Sequence, residues 1–170
     1  NAAPFFLYVA FNAPHFPLQA LPEDIAKYRD RYDSGWDAIR AKRYDRQKQL
    51  GIAMGALSKL EPQIIAPSGN ALDLEILGPG ELRHAAAWDT LTAEQKAFQA
   101  EKFAIHAAMI DRMDHEIGRI LDQVRAMNAL ENTIVLFLSD NGGSAEIMVR
   151  GDGHDKAAPM GSAATHLSIG

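Results

Sequence analysis

The run Thr133-Ile-Val-Leu-Phe-Leu-Ser139 constrains this chain most, because it ends at once in Asp140-Asn141-Gly142-Gly143. Near-continuous β-branched and large apolar residues predict a strand buried on both faces. In open parallel sheets, ligands bind just beyond the carboxyl ends of strands, so chemistry is expected at this end. Asp140 and Asn141 are hard oxygen donors suited to calcium or magnesium, and the glycines let the backbone turn tightly around an ion. The same tetrapeptide also reads as an ordinary turn, since Asp and Asn readily bond their own backbone.

Phe5-Phe-Leu-Tyr-Val-Ala-Phe11 is a second apolar run and predicts another buried strand. Asn12-Ala-Pro-His15-Phe-Pro17 breaks it, each proline disfavouring helix in the residue before it. His15 therefore falls in a constrained loop past a strand end. It reads either as a structurally satisfied side chain or as an acid or a sulfate or phosphate contact.

Between these runs lies the clearest helix. Thr92-Ala-Glu-Gln95 is a capping-box pattern, and Met109, Met113, Ile117, Ile120, Val124 and Met127 form one apolar stripe at helical spacing. A helix from about residue 93 to 127 would be about 50 Å long, so a kink or break is expected, with Asn128 as its end. Strand, helical crossover and strand in that order predict a parallel pair with a right-handed connection, hence an α/β fold with a mostly parallel sheet flanked by helices.

The other signals are weaker. Pro22 with Glu23 and Asp24 predicts a short helix. Ser34 offers an N-cap for another that runs to about Leu50 and is closed by Gly51. Arg40, Lys42, Arg43 and Arg46 on it read as a solvated face sooner than an anion patch. Residues 52–90, punctuated by Pro62, Pro67, Pro79 and several glycines, predict irregular structure with a helical turn or two. Asp111 and His115 share a helix face without a further ligand in register, and His154-Asp155-Lys156 reads as a solvated Gly-rich loop.

Composition excludes several classes. A net charge of −5 argues against a general nucleic-acid binder. No apolar run reaches the ~18 residues of a membrane span. Without cysteine there is neither a disulfide nor a thiolate nucleophile. No Gly-x-Ser-x-Gly elbow, P-loop or Gly-x-Gly-x-x-Gly fingerprint occurs. The chain begins just before one apolar run and stops inside what reads as another strand at Leu167-Ser-Ile-Gly170, so it is expected to be part of a larger protein.

Three segments in order carry a family resemblance: Phe6-Leu-Tyr-Val-Ala-Phe-Asn-Ala-Pro-His15-Phe-Pro-Leu-Gln19, Ile110-Asp-Arg-Met-Asp-His-Glu-Ile-Gly118, and Thr133 through Gly142. Together they resemble the sulfatase family of the alkaline-phosphatase superfamily, with residues 1–170 as the middle-to-late part of its catalytic domain. The resemblance implies hydrolysis of sulfate monoesters, small-molecule or glycan. It implies that Asp140 and Asn141 are two ligands of one divalent cation, usually calcium, with magnesium the alternative. It implies that His15 contacts the sulfate and protonates the leaving oxygen, and it favours a periplasmic or secreted location. In the family a hydrated formylglycine, made from Cys or Ser in a Cys-x-Pro-x-Arg pattern, attacks sulfur. No such pattern stands in this sequence, so these residues alone are expected to be inactive. Two other readings remain open: a phosphodiesterase or phosphonate monoester hydrolase of the same superfamily, and a non-catalytic binding module on the same core.

Overall fold

The computed structural model describes residues 3–59, 71–139, 141–143 and 153–168. Four α-helices organise them: α1 (Pro22–Ala26), α2 (Gly35–Gln49), α3 (Ala71–Leu77) and α4 (Ala93–Ala126), with 3-10 turns at Trp88–Thr90 and Leu130–Asn132.

The strongest local signals become structure. Thr92 Oγ1 accepts from the Gln95 N–H at 3.2 Å, and Gln95 Oε1 accepts from the Thr92 N–H at 3.0 Å, so the capping box opens α4. The helix then runs 34 residues as one element, without the expected break. No proline interrupts residues 93–126, so nothing removes a bond from the ladder. Asn128 takes φ +55°, and the Asn128 and Ala129 N–H groups donate back to the Arg125 and Val124 carbonyls. Gly51, at φ +70°, closes α2 by the same pattern onto Lys48, with Ile52 donating to Gln47. Both ends are Schellman closures. Ser34, by contrast, does not cap α2. It is itself helical (φ −71°, ψ −10°), so its hydroxyl makes no capping bond.

The core forms along the first half of α4. Ala104, Ile105, Ala108 and Met109 are buried, and Ile105, Ala108 and Met109 pack with Leu18, Ile25, Leu77 and Leu167. Of the expected stripe, only Met109 and Val124 are buried, and Met127 is exposed. The small Ala108 side chain explains the shift, because it lets Leu18 and Leu167 pack close to the helix. Gly161 belongs to the same contact. At φ +80°, a Cβ there would lie 2.8 Å from Ile25 Cδ1 and 2.9 Å from Ile105 Cγ1.

A second cluster joins Trp88, Leu91 and Ala100, with Trp36 edge-on to Trp88 at 4.9 Å between centroids. Trp36 Nε1 donates to the Ala86 carbonyl, and Asp37 accepts from the Trp88 N–H. Gly35 (φ +78°) lets Trp88 sit against α2, since a Cβ would fall 2.1 Å from its ring. Among the described residues, the polar helix α2 thus meets the core through its N-terminal end.

The expected sheet does not form among the described residues. Neither residues 5–11 nor residues 133–139 are strands, and both runs are exposed, Phe6 by 91% and Ile134 by 88%. The expectation that they are buried on both faces is therefore corrected. Apolar patterning states what a segment would bury. It needs partner strands to do so, and no other described segment supplies them.

Helix α1 is held to α4 by charge. Asp24, almost fully buried, accepts from Lys27 Nζ at 2.9 Å and from Arg112 Nε at 2.8 Å, while Lys27 also reaches Asp111 at 2.8 Å. The Lys27 ammonium, helped by Arg112, holds the Asp24 carboxyl below the usual carboxylate range against the opposing effect of burial. A depressed carboxyl stabilises the fold above its unfolded value of about 3.9, and that contribution is lost as pH falls through its lower folded value. Asp24→Asn should therefore cost roughly 2 kcal/mol at pH 7. In urea unfolding the gap from wild type should close as pH is lowered below about 3.9.

Candidate active site

His15 lies on an exposed loop that residues 161–168 hold in place. Its N–H donates to the Asn12 carbonyl at 2.9 Å. Its Nδ1 lies 2.9 Å from the Phe16 carbonyl oxygen, which can only accept, so Nδ1 carries the hydrogen. That leaves Nε2 as the ring nitrogen available to a ligand. The Ala13–Pro14 and Phe16–Pro17 bonds beside it are both cis.

The loop is then clamped. The Leu18 N–H donates to the Leu167 carbonyl and the Ala20 N–H to the Gly161 carbonyl, each at 2.9 Å. Gln19 Nε2 donates to the carbonyls of Ala163 and Thr165 at 3.1 and 3.0 Å. Phe16 meets His166 edge-on, with centroids 6.4 Å apart.

Of the two expected metal ligands, Asp140 lies outside the described residues. Asn141 is exposed in a turn, where Ser139 Oγ donates to its carbonyl at 2.9 Å and its own Nδ2 donates to the Gly142 carbonyl at 3.2 Å. With the amide nitrogen engaged, Oδ1 is the end left free as a hard oxygen donor, which fits calcium or magnesium. Among the described residues, no hydrogen bond joins His15 to Asn141, and no group of three or more His, Asp or Glu side chains could hold a metal.

Several of the other sequence candidates have structural partners. Asp111 accepts from Lys27. On α2, Arg40 donates to the Ser58 carbonyl and hydroxyl, and Arg46 donates to Gln49 Oε1 at 3.4 Å. In His154-Asp155-Lys156, Asp155 and Lys156 are exposed, as the solvated-loop reading expects, while His154 is half-buried. His154 Nδ1 accepts from the His166 N–H at 2.9 Å, and Asp155 Oδ1 accepts from the Ala157 N–H at 2.9 Å. Burial, and then the neighbouring His166, push the His154 imidazole below its ordinary value, which favours the neutral ring.

Spacing did not single out Gln19 or the pair Glu81–Lys102. Lys102 is fully buried, its Nζ 2.8 Å from Glu81 Oε2 and 3.0 Å from Oε1. Their partners are distant in sequence, so no local pattern marks them.

The described residues thus give an exposed loop histidine whose Nδ1 faces the Phe16 carbonyl and, separately, an exposed Asn141 amide. The chain belongs to the sulfatase family, whose model matches residues 1–165. An uncharacterized sulfatase of Schizosaccharomyces pombe is 37% identical over 144 residues, covering 85% of this chain and 23% of the relative. An arylsulfatase of Klebsiella aerogenes is 34% identical over 141 residues, 82% of this chain and 26% of the relative. The N-sulphoglucosamine sulphohydrolase of Homo sapiens is 27% identical over 139 residues, 82% of this chain and 21% of the relative. The chain thus spans about a quarter of the length of these curated relatives. The family implies an alkaline-phosphatase-like α/β fold. No helix among the described residues is long and apolar enough to cross a membrane.

Proposed function

We propose that the whole protein hydrolyses sulfate monoesters, with residues 1–170 as the middle-to-late part of its catalytic domain. The observation that carries this reading is His15, exposed on a clamped loop with Nδ1 committed to the Phe16 carbonyl. With Nε2 protonated, the ring can contact a sulfate oxygen and pass its proton to the departing alcohol or phenol oxygen. Asp140 and the Asn141 amide oxygen would hold a divalent cation, calcium foremost, which supplies positive charge to the sulfuryl oxygens when bound. The nucleophile, by family resemblance a formylglycine, would come from outside this sequence, so the 170 residues by themselves should not turn over. The exposed runs at 5–11 and 133–139 are what neighbouring strands of a mostly parallel sheet would cover, which supports their place in a larger domain.

The role of His15 is tested with a series of aryl sulfates whose phenols differ in acidity. His15→Ala should lower kcat by about 100-fold for the most basic leaving group and far less for the most acidic one. An equal loss across the series would make His15 a sulfate contact and not the acid.

A further inference from the structure

We propose that Gln19 is the positioning residue for His15, an inference that rests on the reading of His15 as the acid. The bonds His15 makes are local, to Asn12 and Phe16, so they fix the ring within its loop and not relative to the rest of the molecule. That second task falls to residues 18–20. Their backbone contributes one bond at each end, from Leu18 to Leu167 and from Ala20 to Gly161. Between them, the Gln19 amide reaches across the chain and spends its donors on two carbonyls, Ala163 at 3.1 Å and Thr165 at 3.0 Å.

Two acceptors on one planar NH2 group set its orientation as well as its distance. Leu18 and Leu167, each 1% exposed, pack into the core on the same stretch, so the segment that receives Gln19 is itself held rigidly. The bond pair is therefore a lateral brace on an exposed loop whose tip carries the reacting imidazole. A displacement of about 1 Å at a reacting group can cost 100-fold in rate, so loosening this brace should be read in turnover before it is read in stability.

The test is a double-mutant cycle in the whole protein, on an aryl sulfate with a basic leaving group. Gln19→Met keeps the length of the side chain and removes both donors. With His15 present, it should lower kcat by about 10-fold with KM changed less than about twofold; in the His15→Ala background, the same change should cost less than about twofold. Equal losses in the two backgrounds would overturn the positioning role while leaving that of His15 intact. So would an unchanged kcat in Gln19→Met alone. If His15→Ala itself has no effect, the parent reading fails instead. Should Gln19→Met not fold, Gln19→Asn goes through the same cycle. One methylene shorter, it keeps at most one of the two bonds and should give a smaller, equally His15-dependent loss. A loss independent of His15 would again overturn the proposal.

Discussion

Glu81→Leu should destabilise the fold by about 3–5 kcal/mol, the cost of breaking a buried ion pair from one side. Lys102 is fully buried, and the Glu81 carboxylate receives its ammonium, the Gln99 amide at 2.9 Å and the Leu82 N–H at 3.0 Å. Burial already pulls the Lys102 ammonium below its ordinary value, and Glu81 opposes that pull. Removing the carboxylate leaves a cation facing Phe98 and the core with no counter-charge. Lys102→Met in the same chain removes the stranded charge and should restore most of the loss, because an apolar pair of similar volume is often as stable as the ion pair it replaces. Urea unfolding of the two single variants and the double variant measures this directly. A Glu81→Leu cost below about 1 kcal/mol would mean that the pair is solvated and does not fasten the 78–82 turn to α4.

Asp140→Asn in the whole protein should weaken calcium binding by about 100-fold and lower turnover in parallel at limiting calcium. The substitution keeps shape and oxygen but removes a formal charge from the ion's surroundings, and calcium affinity is tuned by the number of charged ligands. Raising the calcium concentration should recover part of the rate, since mass action refills a weakened site. Isothermal titration and initial rates on the same samples check both halves. Wild-type affinity in Asp140→Asn would remove Asp140 from the metal site.

How much of this was legible in the sequence follows from how far each interaction reaches. Thr92 with Gln95, Gly51 and Asn128 act within one helical turn, so their residue types alone located three helix ends. The stripe through Met113, Ile117 and Ile120 was misread because hydrophobicity ranks those side chains above alanine. The structure instead buries the face on which Ile105, Ala108 and Met109 pack with Leu18 and Leu167. The depth of Lys102 was hidden for the opposite reason. A lysine reads as surface until its partner 21 residues away is known. The apolar runs at 5–11 and 133–139 read as strands from composition, but a strand needs pairing partners, and among the described residues neither run forms one. For the site, His15 and Asn141 could be named from the ends of those runs. The clamp through Gln19 could not, because its acceptors lie 144 and 146 residues away.

The most direct test of the account is sulfate release by the whole protein before chelation, after removal of divalent ions, and after calcium is returned, with an aryl phosphodiester as a parallel substrate. The sulfate monoester should be hydrolysed at least about 100-fold more efficiently than the phosphodiester, with this activity lost on chelation and recovered with calcium. Preference for the phosphodiester, or full sulfate turnover in the absence of any divalent ion, would contradict it.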